Sequence, residues 1–260
     1  MYKEIIYGVA DRVATITLNR PKVYHALNGD IMTEITDAIS KAAADIEVRT
    51  VVLTAEGNTA FCSGADLKAG VAGGNTELGD TLKQFYNPMI TAIREIEKPV
   101  VCRLNGIAAG AVMSLALACD IIIAQQEAYM TELFVGIGLM PDAGSMFFLP
   151  RLIGMQKTFE LCSTGRKVYM EEALQLGLVS KVVPFEHLDT AVKQLTDYYI
   201  SAPTRSIGLM KRVLNKSLNS SLEEVLEMEA VNQTELGHSH DFSEGVMAFL
   251  QKRKPEFQGK

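Results

Sequence analysis

From Lys98 to Ala124 the chain reads KPVVCRLNGIAAGAVMSLALACDIIIA. Its two ends, Pro99-Val100-Val101-Cys102-Arg103-Leu104 and Asp120-Ile121-Ile122-Ile123-Ala124, are short apolar runs of the length of buried strands. Between them, after Asn105-Gly106, Gly110 to Cys119 is a run of small and apolar residues that predicts a helix. Two strands joined through a helix pair in parallel, because a tight hairpin joins only antiparallel neighbours. The stretch therefore predicts an α/β fold with a parallel sheet.

The same unit recurs towards the N-terminus. Asn28 is a good N-cap, Ile31, Ile35, Ala38, Ile39 and Ala42 fall at helical spacing, and Thr50-Val51-Val52-Leu53-Thr54 follows as a strand. A polar, glycine-rich loop from Ala69 to Gly79 then leads to a helix around Leu82 to Ile96. The chain opens with a hairpin: Val13 to Leu18 alternates with a period of two, and Glu4-Ile5-Ile6-Tyr7 is its antiparallel partner. After Val183-Pro184 the strand signal stops. Helices are predicted over Phe185 to Ile200, Thr204 to Leu218, Leu222 to Leu236 and Phe242 to Arg253, broken at Pro203 and Asn219-Ser220-Ser221. This divides the chain into a core, residues 1–200, and a helical region, residues 201–260, whose apolar faces need burial on the same chain or on a neighbour.

Composition bounds the function. The 260 residues are 48% hydrophobic and 22% charged, enough for one substantial core. No apolar run reaches the roughly eighteen residues of a spanning helix, and Met1-Tyr2-Lys3-Glu4 lacks a signal pattern, so a soluble, cytoplasmic protein is expected. Cys62, Cys102, Cys119 and Cys162 stand singly among apolar neighbours and read as reduced, mostly buried thiols. The net charge of -6 argues against general nucleic-acid or anionic-membrane binding; Lys211-Arg212 and Lys252-Arg253-Lys254 read as solvated helix faces. His238-Ser239-His240 has i,i+2 spacing, which does not put both rings on one helix face, so no metal site is expected there. Gly136-Ile137-Gly138 lacks the βαβ setting of a dinucleotide loop.

Three segments put backbone amides or a carboxyl group beside glycine. Phe61-Cys62-Ser63-Gly64-Ala65-Asp66-Leu67 reads as a turn that leaves a strand and opens a helix, with Asp66 as an alternative helix cap. Asn105 to Ala111 is small enough to let another group approach the next helix start, or simply to pack tightly. In Gly138-Leu139-Met140-Pro141-Asp142-Ala143-Gly144, Asp142 sits among apolar residues at an apparent helix start, where it is either an N-cap or an acid/base. Cys62 with His25 as base is a conceivable nucleophile, but no third orienting group is visible.

Together with Asn19-Arg20-Pro21, Ala26-Leu27-Asn28, Cys119-Asp120, Leu149-Pro150-Arg151, Gly177-Leu178-Val179 and Phe249 to Arg253, these segments resemble the enoyl-CoA hydratase/isomerase (crotonase) superfamily over essentially the whole chain. The resemblance implies a crotonase (ClpP-like) spiral of ββα units with a helical C-terminal trimerisation region, assembled as a trimer or a dimer of trimers. It implies an acyl-CoA thioester as substrate, coenzyme A being part of that substrate rather than a separate cofactor. Two backbone donors would hold the enolate oxygen, each worth about 3 to 4 kcal/mol. Motif for motif these are the N–H groups of Ala65 and Ala111, the second position being commonly glycine in the family.

The two glutamates of the family's hydratases fall, without gaps, on Ser114 and Phe134, neither of which exchanges a proton near neutral pH. Glu132 lies two residues from the second position. Asp142 falls where Δ3,Δ2-enoyl-CoA isomerases and 1,2-epoxyphenylacetyl-CoA isomerase carry a single acid/base, so the resemblance favours an isomerase, with a hydratase or a non-catalytic acyl-CoA binder as alternatives. The same comparison puts the substrate near Val23, Ala26, Ala65, Asp66, Leu67, Lys68, Ala111 and Phe134, with Lys22, Lys68 and a neighbouring subunit's Lys252 available to phosphates. The family's dehalogenases rely on tryptophan, which this chain lacks.

Overall fold

The computed structural model describes residues 2–66 and 77–260. It opens with the expected hairpin, β1 (Ile5–Ala10) and β2 (Val13–Leu18), antiparallel in register Ile5↔Leu18 to Ala10↔Val13. Asp11 and Arg12 turn the chain with φ of 49° and 64°, the left-handed pair that matches strand twist in a two-residue hairpin. From there β3 (Thr50–Ala55), β5 (Val100–Leu104), β7 (Ile121–Gln125) and β10 (Lys181–Val183) add in parallel, in the order β1-β2-β3-β5-β7-β10.

A second sheet of very short strands runs beside the first: β4 (Ala60–Cys62), β6 (Ile107–Ala109), β8 (Tyr129–Thr131) and β9 (Val168–Tyr169), in that order. From β3 to β8 each turn of the chain contributes one strand to each sheet and then a helix. β5 and β6 lead into α4 (Ala111–Ala118), and β7 and β8 into α5 (Ser145–Thr164). This is the ββα spiral implied by the resemblance. Strands of two or three residues carry too little alternation to be read from sequence, which explains why residue patterns alone yield only the first sheet.

The earlier helices sit outside the large sheet. α1 (Gly29–Ala44) buries Ile31, Ile35, Ala38, Ile39 and Ala42 as the spacing predicts, and Met32 with them. The Asn28 side chain accepts from the Ile31 N–H at 2.9 Å. Asn28→Ala is expected to cost about 1 kcal/mol, seen as a drop of about 2–4 °C in Tm. The helix expected around Leu82 to Ile96 is present and begins earlier, as a short α2 (Leu78–Thr81), a π-helical turn over Leu82–Tyr86, and α3 (Asn87–Glu95) in unbroken succession. The loop from Ala69 lies outside the described residues as far as residue 76.

After α6 (Met170–Gln175) and β10, α7 (Phe185–Ser201) lays Leu188, Ala191 and Val192 on Val52, Val101 and Ile123 of the sheet. α8 (Thr204–Ser217), α9 (Leu222–Gly237) and α10 (His240–Leu250) complete the chain. The reading of Lys211-Arg212 as a solvated face is corrected here. Lys211 is 7% exposed, and its Nζ donates to the Ile93 carbonyl and to Asp120 Oδ2, both at 2.8 Å. The helix presses this side chain inward because the Asp120 carboxylate waits at the end of the sheet. No helix among the described residues is long and apolar enough to cross a membrane.

Candidate active site

The spiral brings the three glycine-containing segments together. β4 runs parallel to β6, so the chain leaving Cys62 travels beside the chain leaving Ala108. Gly64, with φ of 106°, is close enough that a Cβ there would sit 3.1 Å from the Ala109 carbonyl oxygen. A side chain at 64 would push the two segments apart.

On its other side the first segment is fastened to Leu27. The Leu27 N–H donates to the Gly64 carbonyl and the Asp66 N–H to the Leu27 carbonyl, both at 2.8 Å, around a parallel bridge between Leu27 and Ala65. In such a bridge the flanked residue turns its own N–H and carbonyl to the opposite side. The Ala65 N–H therefore points away from Leu27, towards the β6 side. The amide is freed by strand geometry, and a helix opening after Asp66 falls outside the described residues.

The second amide is a helix-start donor as expected. Gly110, with φ of 60°, donates to the Thr131 carbonyl at 2.8 Å and turns the chain into α4. Ala111 is the first residue of that helix, so its N–H has no intrahelical acceptor. The ring of Phe134 packs over this corner, 3.7 Å from where a Gly110 Cβ would stand. An aromatic ring thus occupies the place that a hydratase glutamate holds in the resemblance.

Asp142 is not a helix cap. α5 begins at Ser145 with Gly144 as its N-cap and no capping side chain, while Asp142 lies in the preceding turn. Its Oδ1 is buried and has no hydrogen-bond partner among the described residues. Desolvation pushes the carboxyl up to about 6. The backbone is held firmly: Ser114, one turn along α4 from Ala111, donates its hydroxyl to the Asp142 carbonyl at 2.9 Å. Tyr86, at the end of the π-helical turn, is 5% exposed, and burial followed by the charge of Asp142 raises its hydroxyl's pKa.

A group the sequence left at the margin turns out to belong to this neighbourhood. Glu132 is 1% exposed, and its Oε1 is hydrogen-bonded to Ser145 Oγ at 2.6 Å. Its Oε2 is buried without a partner among the described residues. Burial first, then the Asp142 charge, push this carboxyl up to about 8, with Ser145 opposing. The only advance signal was an acid two residues from Phe134 in an otherwise apolar run.

The cysteine alternative fails on geometry. The His25 Nδ1 accepts from the Arg20 N–H and Nε2 meets the Glu56 carbonyl, each at 3.0 Å, so both ring nitrogens are committed to backbone. Cys62 Sγ donates to the His25 carbonyl at 2.7 Å, and burial pushes the thiol up to about 12. No thiolate forms there near neutral pH. Cys62→Ala is expected to keep turnover within about threefold; loss of two orders of magnitude in a folded variant would reinstate the thiol.

The residues assigned to coenzyme A gather at the Leu27 side. Val23 is 40% exposed at the end of a short turn, Pro21–Val23, while Ala26 is buried. The Ser63 N–H donates to the Tyr24 carbonyl at 3.0 Å, joining this turn to the Ala65 segment. Asp66 is ion-paired with Arg20 at 3.0 Å, and the helix that the sequence has it cap lies outside the described residues. Leu67, Lys68 and the stretch Val71 to Thr76 lie outside the described residues. Among the described residues no group of three His, Cys, Asp or Glu is placed to hold a metal, and His238 and His240 flank the start of α10.

Comparison with known proteins agrees with this construction. The sequence profile described as Enoyl-CoA hydratase/isomerase matches residues 8–260. A protein of Rhodobacter capsulatus named as a probable enoyl-CoA hydratase is 40% identical over 259 residues, 100% of this chain and 99% of that one. The 1,2-epoxyphenylacetyl-CoA isomerase of Escherichia coli is 35% identical over 263 residues, 100% of each. The crystal structure of an enoyl-CoA hydratase from Bacillus anthracis superposes with a TM-score of 0.94 at 31% identity, over 99% of this chain and 100% of that one. A profile match over nearly the whole length, relatives that align end to end, and a shared fold place this chain in the enoyl-CoA hydratase/isomerase family, as an enzyme of that family.

Proposed function

We propose that the protein is an acyl-CoA isomerase that moves a double bond, or rearranges a ring, of a CoA thioester through an enolate. The observation that carries this reading is the partly desolvated Asp142 carboxyl, whose buried Oδ1 has no hydrogen-bond partner among the described residues, in the neighbourhood of two outward amides. Removing a Cα proton puts negative charge on the thioester oxygen, and the N–H groups of Ala65 and Ala111 receive that charge without reorganising. Asp142 takes the proton from C2 of a 3-enoyl thioester and returns it to C4, the dienolate linking the two steps. A carboxyl of pKa near 6 suits both directions, since it is ionised at neutral pH yet holds a proton long enough to hand it back.

Val23, Ala26, Ala65 and Asp66, with Leu67 and Lys68, form the coenzyme A side of this reading, and Ala111 and Phe134 the acyl side. The apolar residues exposed on α8 to α10, among them Met210, Leu214, Leu226 and Phe242, favour burial of residues 201–260 against further copies of the chain, as in a trimer.

A hydratase is the second reading. The Rhodobacter capsulatus relative bears that name, and Glu132 supplies a second carboxyl near Asp142. Against it, hydration needs a water held between two accessible acids, and Glu132 is 1% exposed. The test mixes the protein with a 3-enoyl-CoA and follows the conjugated thioester absorbance, with hydration of crotonyl-CoA run in parallel. Conjugation without hydration is expected; hydration without conjugation would overturn the isomerase.

A further inference from the structure

Glu132, Ser145, Ser114 and the Asp142 carbonyl form an unbroken buried row. Ser145 Oγ is 2.6 Å from Glu132 Oε1, Ser114 Oγ contacts Ser145 Oγ, and Ser114 Oγ is 2.9 Å from the Asp142 carbonyl oxygen. Ser114 and Ser145 are fully buried, so no solvent completes the row. These are three hydrogen bonds, and the two hydroxyls supply only two protons. The carbonyl at one end can only accept. A proton on Glu132 satisfies all three contacts in one direction: the acid donates to Ser145, Ser145 to Ser114, and Ser114 to the Asp142 carbonyl.

We propose that Glu132 is a positioning residue for Asp142, the carboxylic acid that starts a one-way hydrogen-bond chain through Ser145 and Ser114 and so fixes the turn bearing the base. This rests on the reading of Asp142 as the acid/base. The groups facing Glu132 agree with a neutral acid. Asp142, in the turn before α5, and Cys162, late in α5, bring negative or neutral character, and no cation pairs with Glu132 among the described residues. Tyr86 faces Asp142 from the π-helical turn. Ionising Glu132 would remove the proton that orders the chain and place a second negative charge beside the base.

The chain gives the pH profile of kcat two limbs. Activity rises as Asp142 ionises near pH 6 and falls as Glu132 ionises near pH 8. Glu132→Gln discriminates, because an amide N–H donates to Ser145 as the acid does but does not titrate. With a 3-enoyl-CoA, E132Q is expected to hold kcat at pH 7 within about threefold of the wild type, keep the acid limb and lose the alkaline one. An alkaline limb unchanged in E132Q would overturn the proposal. A measurement on the wild-type protein, independent of that variant, is carbon NMR with carboxyl-labelled glutamate. One glutamate carbon is expected to titrate near pH 8, and to titrate lower in Asp142→Asn, where the neighbouring charge is gone. If every glutamate carbon titrates in the ordinary carboxylate range, the proposal fails. Full turnover in Asp142→Asn would instead sink the assignment of the base, whatever Glu132 does.

Discussion

Replacing Asp142 by asparagine is expected to lower kcat for double-bond migration by about 10²- to 10⁴-fold, the contribution of a positioned general acid/base. The amide cannot take the Cα proton, while the N–H groups of Ala65 and Ala111 and the proposed coenzyme A side near Val23 and Ala26 are untouched. KM should therefore move little. Folding should not suffer either, because Asp142 Oδ1 has no partner to lose among the described residues. The sign of the stability change follows from linkage. A carboxyl raised to about 6 from an ordinary value of 3.8 destabilises the folded state increasingly as pH climbs between those values, and fully above the higher one. At pH 7 the asparagine variant should melt slightly higher than the wild type. In the wild type, kcat should climb through pH 6 and level off before the alkaline limb set by Glu132, since only the ionised carboxylate can act as base. Retained turnover in a purified, folded variant would exclude Asp142 as the shuttle.

The largest expected effect on stability is at Lys211. Lys211→Met should destabilise the protein by about 3 kcal/mol, read from denaturant unfolding, because it strands a partly buried carboxylate that is 20% exposed. Asp120 Oδ2 accepts from both Lys211 Nζ and the Val100 N–H at 2.8 Å, and its other oxygen lies 3.5 Å from Arg94. The remaining Arg94 contact keeps the cost near the lower end of the range for broken buried pairs. Burial lowers the pKa of the Lys211 ammonium, so this ion is held by its partners at the expense of hydration. The double variant K211M/D120N removes the stranded charge, while the amide oxygen introduced at position 120 still accepts from the Val100 N–H. It should be less destabilised than the two single variants added together; strict additivity would mean that the two side chains do not interact.

These two residues also show where sequence reading stops. Lys211 lies in a helix with a basic neighbour, Arg212, and reads as surface. Its fate is set by the end of β5 and by Asp120, 91 residues away in sequence, and long-range packing of that kind leaves no local pattern. Asp142 could be singled out in advance because an acid among apolar residues is conspicuous, yet both a cap and an acid/base fit such a position. Only the start of α5 at Ser145, which leaves the Asp142 carboxyl without a backbone amide to cap, separates them.

The periodicities of the chain determined the opening hairpin, the α1 face and its Asn28 cap, the parallel strands between residues 50 and 124, and the helical last quarter. These follow from nearest-neighbour geometry: side chains repeat every two residues in a strand and every 3.6 in a helix, so local order writes the pattern. The motifs fixed the family and nominated Ala65, Ala111 and Asp142. Tertiary structure alone decided the second sheet, the direction of the Ala65 N–H, the burial of Lys211, and the row that joins Glu132 to the Asp142 carbonyl. Each of these depends on which distant groups exclude water and which backbone edge remains unpaired, and desolvation is a property of the surroundings that a residue's own neighbours in sequence do not set.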